Sequence, residues 1–129
     1  MCRATQQMVL NLMGRSDDPF LLAGESGYDE REVLPVARRE QDGVALGGAA
    51  VQKLILHFCC GDHAGGLPFA DETARHIAGL SGTPNLQLYH MINALSRVCA
   101  APGDRVTARA VRQSLALHRK RLALSWATQ

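Results

Sequence analysis

Aromatic residues are scarce in this sequence, which holds three Phe, two Tyr and one Trp among 129 residues. Hydrophobic residues still make up 47% of the chain, so its core must consist mainly of Leu, Val, Ala and Met. Such side chains suit helices better than a β-sandwich, whose strands favour aromatic residues. A chain of this length ordinarily forms one domain. We therefore expect a single all-α domain over 1–129, a bundle of four to five helices whose helical core starts at residue 46.

Long apolar runs are also lacking at the N-terminus. Residues 1–18 contain one early basic residue, and their apolar run is interrupted by Gln6, Gln7 and Asn11. A signal peptide needs a continuous apolar stretch of about 7–15 residues, and a membrane-spanning helix needs about 20. We expect a soluble cytoplasmic protein that does not bind a membrane.

The cysteines show no spacing typical of a disulfide framework, and reduced thiols in the cytosol are the simpler explanation. They are Cys2, Cys59, Cys60 and Cys99. Cys60 follows His57 by three residues, so the two would be neighbours on a helix. His63 follows three residues later, and all three side chains are of types that bind metals. A closed zinc site needs four ligands, and this spacing matches no finger or ribbon pattern. We expect His57 and Cys59 to end a buried helix instead, and we expect no metal and no cofactor.

Motifs that mark catalytic sites are missing as well. The sequence contains no GxSxG, no HExxH, no phosphate-binding Gly-Lys-Ser/Thr loop and no GxGxxG opening a helix after a strand. The glycines of 61–66 follow a predicted helix and precede no lysine. We do not expect an enzyme.

Charge is distributed unevenly, although the net charge is only +2. Residues 17–42 hold eight of the twelve acids and three arginines, a net charge of −5, whereas 97–121 hold seven of the fourteen basic residues and one acid, a net charge of +6. Such asymmetry indicates that the two ends have different partners or bind each other. The N-terminal acidic segment, 1–45, is expected to be partly flexible.

Hydrophobic spacing predicts helices over 4–13, 47–60 and about 107–126. The helix of 47–60 is apolar on nearly all sides, so it belongs at the centre of the bundle. Gly47 and Gly48 at its start allow another helix to approach closely, and the glycines of 61–66 are expected to form a loop after it. Residues 33–46 fit either a β-hairpin on an Asp42-Gly43 turn, with Pro35 on an edge strand, or a helix ending near Gln41.

Residues 72–96 carry the strongest functional pattern, two helices joined at a tight turn. Glu72 to Leu80 form the first helix, Gly82 lies in the break, and Thr83 and Pro84 begin the second. One side of the second helix is apolar. The opposite side carries residue types that hydrogen-bond base edges in a major groove, among them Asn85, Tyr89, His90 and Asn93.

This stretch resembles the helix-turn-helix of IclR-type bacterial transcription regulators. The matching residues are Ile77, Ala78, Ser81, Gly82, Pro84, Leu88, Met91, Ile92 and Leu95. The resemblance implies that the second helix enters the major groove with Asn85, Gln87, Tyr89 and His90 near the bases. The sequence departs from the family at Thr83, where an aliphatic residue is usual, and no pair of strands follows to form a wing. Plain helix–helix packing is the alternative.

The last predicted helix offers two further surfaces. Arg105, Arg109, Arg112 and Arg119 fall on one stripe that suits a phosphate backbone or an acidic protein. Apolar residues on the same helix exceed what one core requires, and they indicate an interface, in a homodimer or with a partner protein. The interface candidates are Leu115, Leu117, Leu122, Leu124 and Trp126.

The sequence is therefore compatible with two functions. The first is a small transcription-regulatory protein that binds DNA through 72–96 and the arginine stripe. The second is an antiactivator or adaptor that binds a transcription factor or another protein through its last helix and does not bind DNA.

Overall fold

The computed structural model describes residues 2–127, with side chains described throughout that range except at 117, 118 and 121–127. The described range contains six α-helices, one 3₁₀ turn and no β-strand. These elements are α1 (Arg3–Leu12), α2 (Glu30–Glu40), α3 (Gly43–Cys59), α4 (His63–Arg75), the 3₁₀ turn (Ile77–Leu80), α5 (Pro84–Ala100) and α6 (Arg105–Ala127). The all-α prediction is confirmed, with one more helix than expected. No helix in this part of the chain has both the length and the apolarity to cross a bilayer.

Helix α3 lies at the centre of the bundle, as its apolar sequence predicted. It contacts α1, α2, α4, α5 and the 3₁₀ turn, and its Val51, Leu54 and Leu56 are completely buried. A helix that is apolar on all sides needs neighbours on all sides. The C-terminal end of α3 is not buried as predicted, because Cys59 and Cys60 are exposed at the surface.

The hairpin alternative for 33–46 is wrong, because two helices occupy this stretch. Gln41 has a left-handed backbone with φ 55° and ends α2. The Asp42 carboxylate then caps α3 by accepting hydrogen bonds from the N–H groups of Val44 and Ala45, both at 3.0 Å. Asp before Gly is therefore a helix cap here and not a hairpin turn.

Helix α4 occupies most of the loop expected at 61–66, and the helix predicted over Glu72–Leu80 is instead the end of α4 followed by the 3₁₀ turn. The Asp62 carboxylate caps it by accepting from the Gly65 N–H at 3.0 Å. A Cβ added at Gly66 would lie 3.1 Å from Cβ of His57 and 3.3 Å from a methyl group of Leu54. Gly66 thus allows α4 to pack closely on α3.

Buried polar side chains of α1 hold the acidic segment that follows it. The Asn11 side-chain amide donates to the carbonyl oxygens of Pro19 at 3.1 Å and Leu21 at 2.7 Å. The side-chain oxygen of Gln7, Oε1, accepts hydrogen bonds from the Ser26 N–H at 3.1 Å and from the Ser26 hydroxyl at 2.8 Å. The sequence identified Gln7 and Asn11 only as interruptions of an apolar run, whereas both are buried.

The core extends into the N-terminal third of the chain. Leu22 is completely buried and packs in one cluster with Met8 of α1 and Val51 of α3. The Glu30 carboxylate accepts from the Leu22 N–H at 3.0 Å and forms a part-buried ion pair with Lys53 at 2.7 Å. Residues before 46 therefore contribute to the core that the sequence assigned to 46–129.

The 3₁₀ turn lies directly against the start of α3. A Cβ added at Gly79 would lie 2.8 Å from the carbonyl carbon of Gly43, and one added at Gly47 would lie 3.1 Å from Cβ of His76. Close approach at Gly47 confirms the role predicted for the glycines that open α3. Gly48, by contrast, faces open space.

Candidate interaction surface on helices α5 and α6

Helix α5 starts where the sequence places it. Gly82 has φ 77° in the break, Thr83 is extended, and Pro84 is the first helical residue. The Thr83 hydroxyl donates to the carbonyl oxygen of Leu80 at 2.7 Å and makes no side-chain cap. Pro84 is favourable as the first helical residue, because the N–H that it lacks would have no acceptor within the helix.

The side of α5 that carries Tyr89 faces the body of the protein. Tyr89 is 5% exposed, and Ile92 and Ser96 on the same helix are also buried. Burial raises the pKa of the Tyr89 hydroxyl, with the nearby Arg97 opposing that effect. A buried side chain of this kind contributes to packing in the monomer.

Polar residues next to Tyr89 form a network that connects α5 to α4. The Asn93 amide donates to the Tyr89 hydroxyl at 3.4 Å, and Arg97 donates from Nε to the Asn93 Oδ1 at 2.9 Å. A second guanidinium nitrogen of Arg97 donates to the Asp71 carboxylate at 2.8 Å. Asn93 is half-buried within this network.

The other residues predicted to read bases have different surroundings. Asn85 is half-buried and its Oδ1 accepts from Nε2 of the buried Gln52 at 3.4 Å. His90 is half-buried, with its ring centroid 5.0 Å from that of Tyr89. Gln87 is exposed. The structure thus brings Tyr89 and Asn93 together inside a helix contact, while Gln87 faces solvent.

The solvent-facing side of α5 is apolar instead. Leu88, Met91, Leu95 and Val98 are 38%, 48%, 43% and 40% exposed. Their spacing of three and four residues places them in one row along the helix, which we call the α5 ridge. A row of large apolar side chains on one helix is a typical site for a partner helix.

Helix α6 packs on the body through its first two turns. Asp104 caps it by accepting from the N–H groups of Val106 and Thr107. Its contacts within the bundle are made mainly with α5, and Thr107, Ala108 and Val111 are half-buried there. The next five residues, 112–116, are all exposed, and five residues exceed one helical turn. At 112–116, therefore, the described residues leave every side of α6 exposed.

The arginine stripe predicted for α6 is exposed along its length. Arg105, Arg109, Arg112 and Arg119 are all exposed, and no ion pair within the described part of the chain involves them. Leu115 is 42% exposed. The side chains of the other predicted interface residues, Leu117, Leu122, Leu124 and Trp126, lie outside the described residues.

The segment considered for metal binding makes other contacts. Nδ1 of His57 lies 2.8 Å from a carboxylate oxygen of Asp62. The His57 ring stacks on the rings of Phe20 and Phe69, with ring centroids 4.2 Å and 5.2 Å apart. The His63 ring lies near Phe58. Among the residues that the structure describes, no three His, Cys, Asp or Glu are grouped as metal ligands.

The sequence did not predict that the α5 ridge is exposed. Apolar spacing marks Leu88, Met91 and Leu95 as one side of a helix but does not say which way that side faces. The spacing of four between Tyr89, Asn93 and Arg97 indicates a polar row along the helix, but it does not show which way that row faces.

Comparisons with known proteins give no family. No protein-family model, curated protein or solved structure matches this chain.

Proposed function

We propose that this protein acts by binding another protein, with the α5 ridge and the first turns of α6 receiving an amphipathic helix of the partner. The single observation that carries the proposal is the exposed row of Leu88, Met91, Leu95 and Val98. A transcription factor is the partner class that fits the antiactivator hypothesis. The exposed free thiols at all four cysteines suit the cytoplasm, which we propose as the compartment.

Apolar burial supplies the affinity in this proposal. Each ridge side chain is already more than half covered by α5 itself and its neighbours, so a partner has only the remaining surface to cover. Burial of apolar surface contributes about 25 cal/mol per Å² before the cost of association. A few large apolar residues in the centre of a contact commonly dominate its energy.

Charge determines which partner helix we propose. The exposed arginines of α6 begin at Arg105, close to the end of the α5 ridge at Val98, and they have no ion-pair partner among the described residues. A partner helix with acidic residues beside its apolar face complements both surfaces. Such complementarity raises the association rate and excludes basic partners.

Binding of a designed peptide tests the proposal. The probe is an amphipathic helical peptide with leucine at its seam and glutamate beside it, and its matched control carries lysine in place of glutamate. We expect the acidic peptide to bind at least about tenfold more tightly, a difference of ~1.4 kcal/mol. Equal binding of the two peptides, or binding of neither, would overturn the proposal.

Matched surface variants locate the contact. Leu95→Glu on the ridge should weaken binding of the acidic peptide by roughly tenfold or more, because it places a carboxylate in an apolar contact. Val36→Glu on α2 is the control, since Val36 is exposed to a similar extent, 41% against 43%. Circular dichroism checks that both variants keep their helix content. If both variants bind as the unmodified chain does, the ridge is not the site.

One other occupant of the α5 ridge is tested with the same Leu95→Glu variant. A second copy of this chain would give a mass in sedimentation equilibrium that increases with concentration and that Leu95→Glu abolishes. That result would replace the foreign partner with a homodimer through the α5 ridge, whereas the sequence predicted a homodimer through the last helix.

DNA binding is the second candidate function, and the exposed arginine stripe of α6 favours it. The burial of Tyr89 and the half-burial of Asn85 and Asn93 argue for phosphate contact by α6 over base reading by α5. A random duplex titrated at two salt concentrations separates the candidates, because phosphate contacts weaken steeply with salt. Tight duplex binding that Arg109→Glu abolishes and Leu95→Glu leaves unchanged would favour DNA.

A further inference from the structure

Helix α6 carries a basic and apolar row beyond the part that packs on α5. Leu115 is 42% exposed. Arg112 and Arg119, which lie three residues before it and four residues after it, are also exposed. These spacings place the three side chains in one row along the helix, with a basic residue on each side of an apolar one. We call this set the α6 row.

The α6 row is uncovered within the described part of the chain. Val111 is half-buried where α6 packs on α5, and Leu115 continues the same side of the helix four residues later. All of 112–116 is exposed, and neither Arg112 nor Arg119 forms an ion pair with another described residue. The row therefore continues the packing side of α6 past the neighbour that covers it.

A complementary surface lies in the segment that connects α1 to α2. It is an open cleft of about 860 Å³, and its lining holds four acids and two arginines, a net charge of −2. These charged residues are Arg15, Asp17, Asp18, Glu25, Asp29 and Arg31. Leu21 and Ala23, both half-buried, supply an apolar patch in the same lining. This surface, which we call the acidic cleft, matches a basic helix that carries an apolar residue.

Two acids of the cleft are available to an incoming arginine. Asp17 is exposed and takes part in no ion pair in the part of the chain that the structure describes. Glu25 pairs with Arg15, but these two side chains are 54% and 52% exposed, and ion pairs this exposed contribute little stability. Asp18 and Asp29 each accept a hydrogen bond from the local backbone. Asp17 and Glu25 are therefore the acids that an added cation can engage at little cost.

We propose that the α6 row of one copy of this chain docks into the acidic cleft of a second copy, with Leu115 on the patch of Leu21 and Ala23. The arginines of the row then pair with carboxylates of the cleft, which guanidinium groups match in geometry. A second copy is the occupant because this chain carries both surfaces. Residues 97–121 have a net charge of +6, against −5 for 17–42.

Self-association of the full chain in sedimentation equilibrium tests this contact. We expect the apparent mass to rise above that of the monomer at concentrations below about 1 mM. Raising the salt concentration from about 50 mM to about 500 mM should weaken the association by roughly tenfold or more, because salt screens exposed charges. A chain that stays monomeric, or an association that salt does not weaken, would overturn the proposal.

The ridge variant separates this contact from the proposed protein-binding function. The docking of α6 uses none of the α5 ridge residues, so Leu95→Glu should leave the self-association unchanged. Failure of the peptide experiments on the ridge therefore does not affect this proposal, and the reverse also holds. Self-association that Leu95→Glu abolishes would place the contact on the ridge and contradict the proposal.

Charge reversal on each surface locates the contact. One variant carries Arg112→Glu and Arg119→Glu. The other carries Asp17→Lys and Glu25→Lys, which leaves two acids against four basic residues in the cleft lining. Each variant alone should associate at least about tenfold more weakly than the unmodified chain. An equimolar mixture of the two should associate again, because each copy then offers the other a surface of opposite charge.

A matched control keeps the charge-reversal result specific. Arg38→Glu with Arg39→Glu reverses two exposed arginines of α2 that do not line the cleft, and it should associate as the unmodified chain does. Circular dichroism checks that all variants keep their helix content. A mixture of the two charge-reversed variants that stays monomeric would refute the proposal, since mixing restores only a contact between two different surfaces.

Discussion

At the scale of single residues, Asp62 connects the end of α3 to the start of α4. Its Oδ1 accepts from the Gly65 N–H at 3.0 Å and its Oδ2 lies 2.8 Å from Nδ1 of His57. The hydrogen bond to His57, together with the one from Gly65, holds the pKa of Asp62 below its ordinary value of 3.8. The charged carboxylate is therefore the form that stabilises this junction.

The lowered pKa of Asp62 predicts a loss of stability in acid. A carboxyl group with a depressed folded pKa contributes its full stabilisation above the unfolded pKa and loses it as the pH falls through the folded value. Asp62→Asn keeps an oxygen that caps α4 but removes the titration. We expect the urea midpoint of the unmodified chain to fall more steeply below pH 3.8 than that of Asp62→Asn. Parallel curves for the two proteins would contradict this role.

Single residues also show where prediction from sequence stops. The row of Tyr89, Asn93 and Arg97 is visible in the sequence, but its partner Asp71 lies on another helix. Only the packing of α4 against α5 brings that carboxylate opposite Arg97, and so only tertiary structure shows that the row faces inward. For the same reason the outward position of Leu88 and Leu95 could not be derived.

At the scale of elements, aspartate caps determine where the helices begin. Asp29, Asp42 and Asp62 each accept a backbone N–H at a helix start, and Gly82 with Pro84 marks the start of α5. The sequence allowed the Gly82 break to be predicted because that pattern has one interpretation. Asp42-Gly43 fits both a turn and a cap, so local sequence could not decide between the hairpin and two helices.

Helix α2 contains a proline in its interior, and we expect replacement of this residue to stabilise the protein. Pro35 is the sixth residue of α2, where it provides no N–H for the carbonyl of Arg31. We expect Pro35→Ala to raise the free energy of unfolding by about 1–3 kcal/mol, since proline in a helix interior costs roughly 3 kcal/mol. Urea unfolding measures the change.

Pro84 provides the matched control for that substitution. It is the first residue of α5, where proline is favourable. Pro84→Ala should leave stability unchanged or lower it by about 0.5 kcal/mol. A similar gain for both variants would show that helix position is not the cause.

At the scale of the whole molecule, the bundle and α6 differ in how they are supported. Helix α3 contacts five other elements, whereas α6 packs mainly on α5 and is exposed on all sides at 112–116. The strong charge difference between 17–42 and 97–121 is evident from the sequence alone. The sequence does not reveal that α6 is exposed on all sides at 112–116, since that depends on how far α5 extends beside it.

Shortening the chain tests this difference in support. A chain that ends after Val111 keeps the half-buried residues Thr107 and Ala108, so its free energy of unfolding should stay within about 1 kcal/mol of the full chain's. A chain that ends after Ala101 loses those contacts and should be less stable. Urea unfolding with circular dichroism compares the two. Equal destabilisation by both truncations would show that residues beyond 111 support the bundle.

The backbone contact between Gly79 and Gly43 has a consequence for identifying homologues. Any side chain at 79 would overlap the main chain at the start of α3. Only glycine therefore fits at this position, while the surrounding surface is free to diverge. A distant homologue that retains this fold should keep glycine at the position of Gly79 even where the overall identity has become too low to align, whereas the position of Gly43 has room for a Cβ.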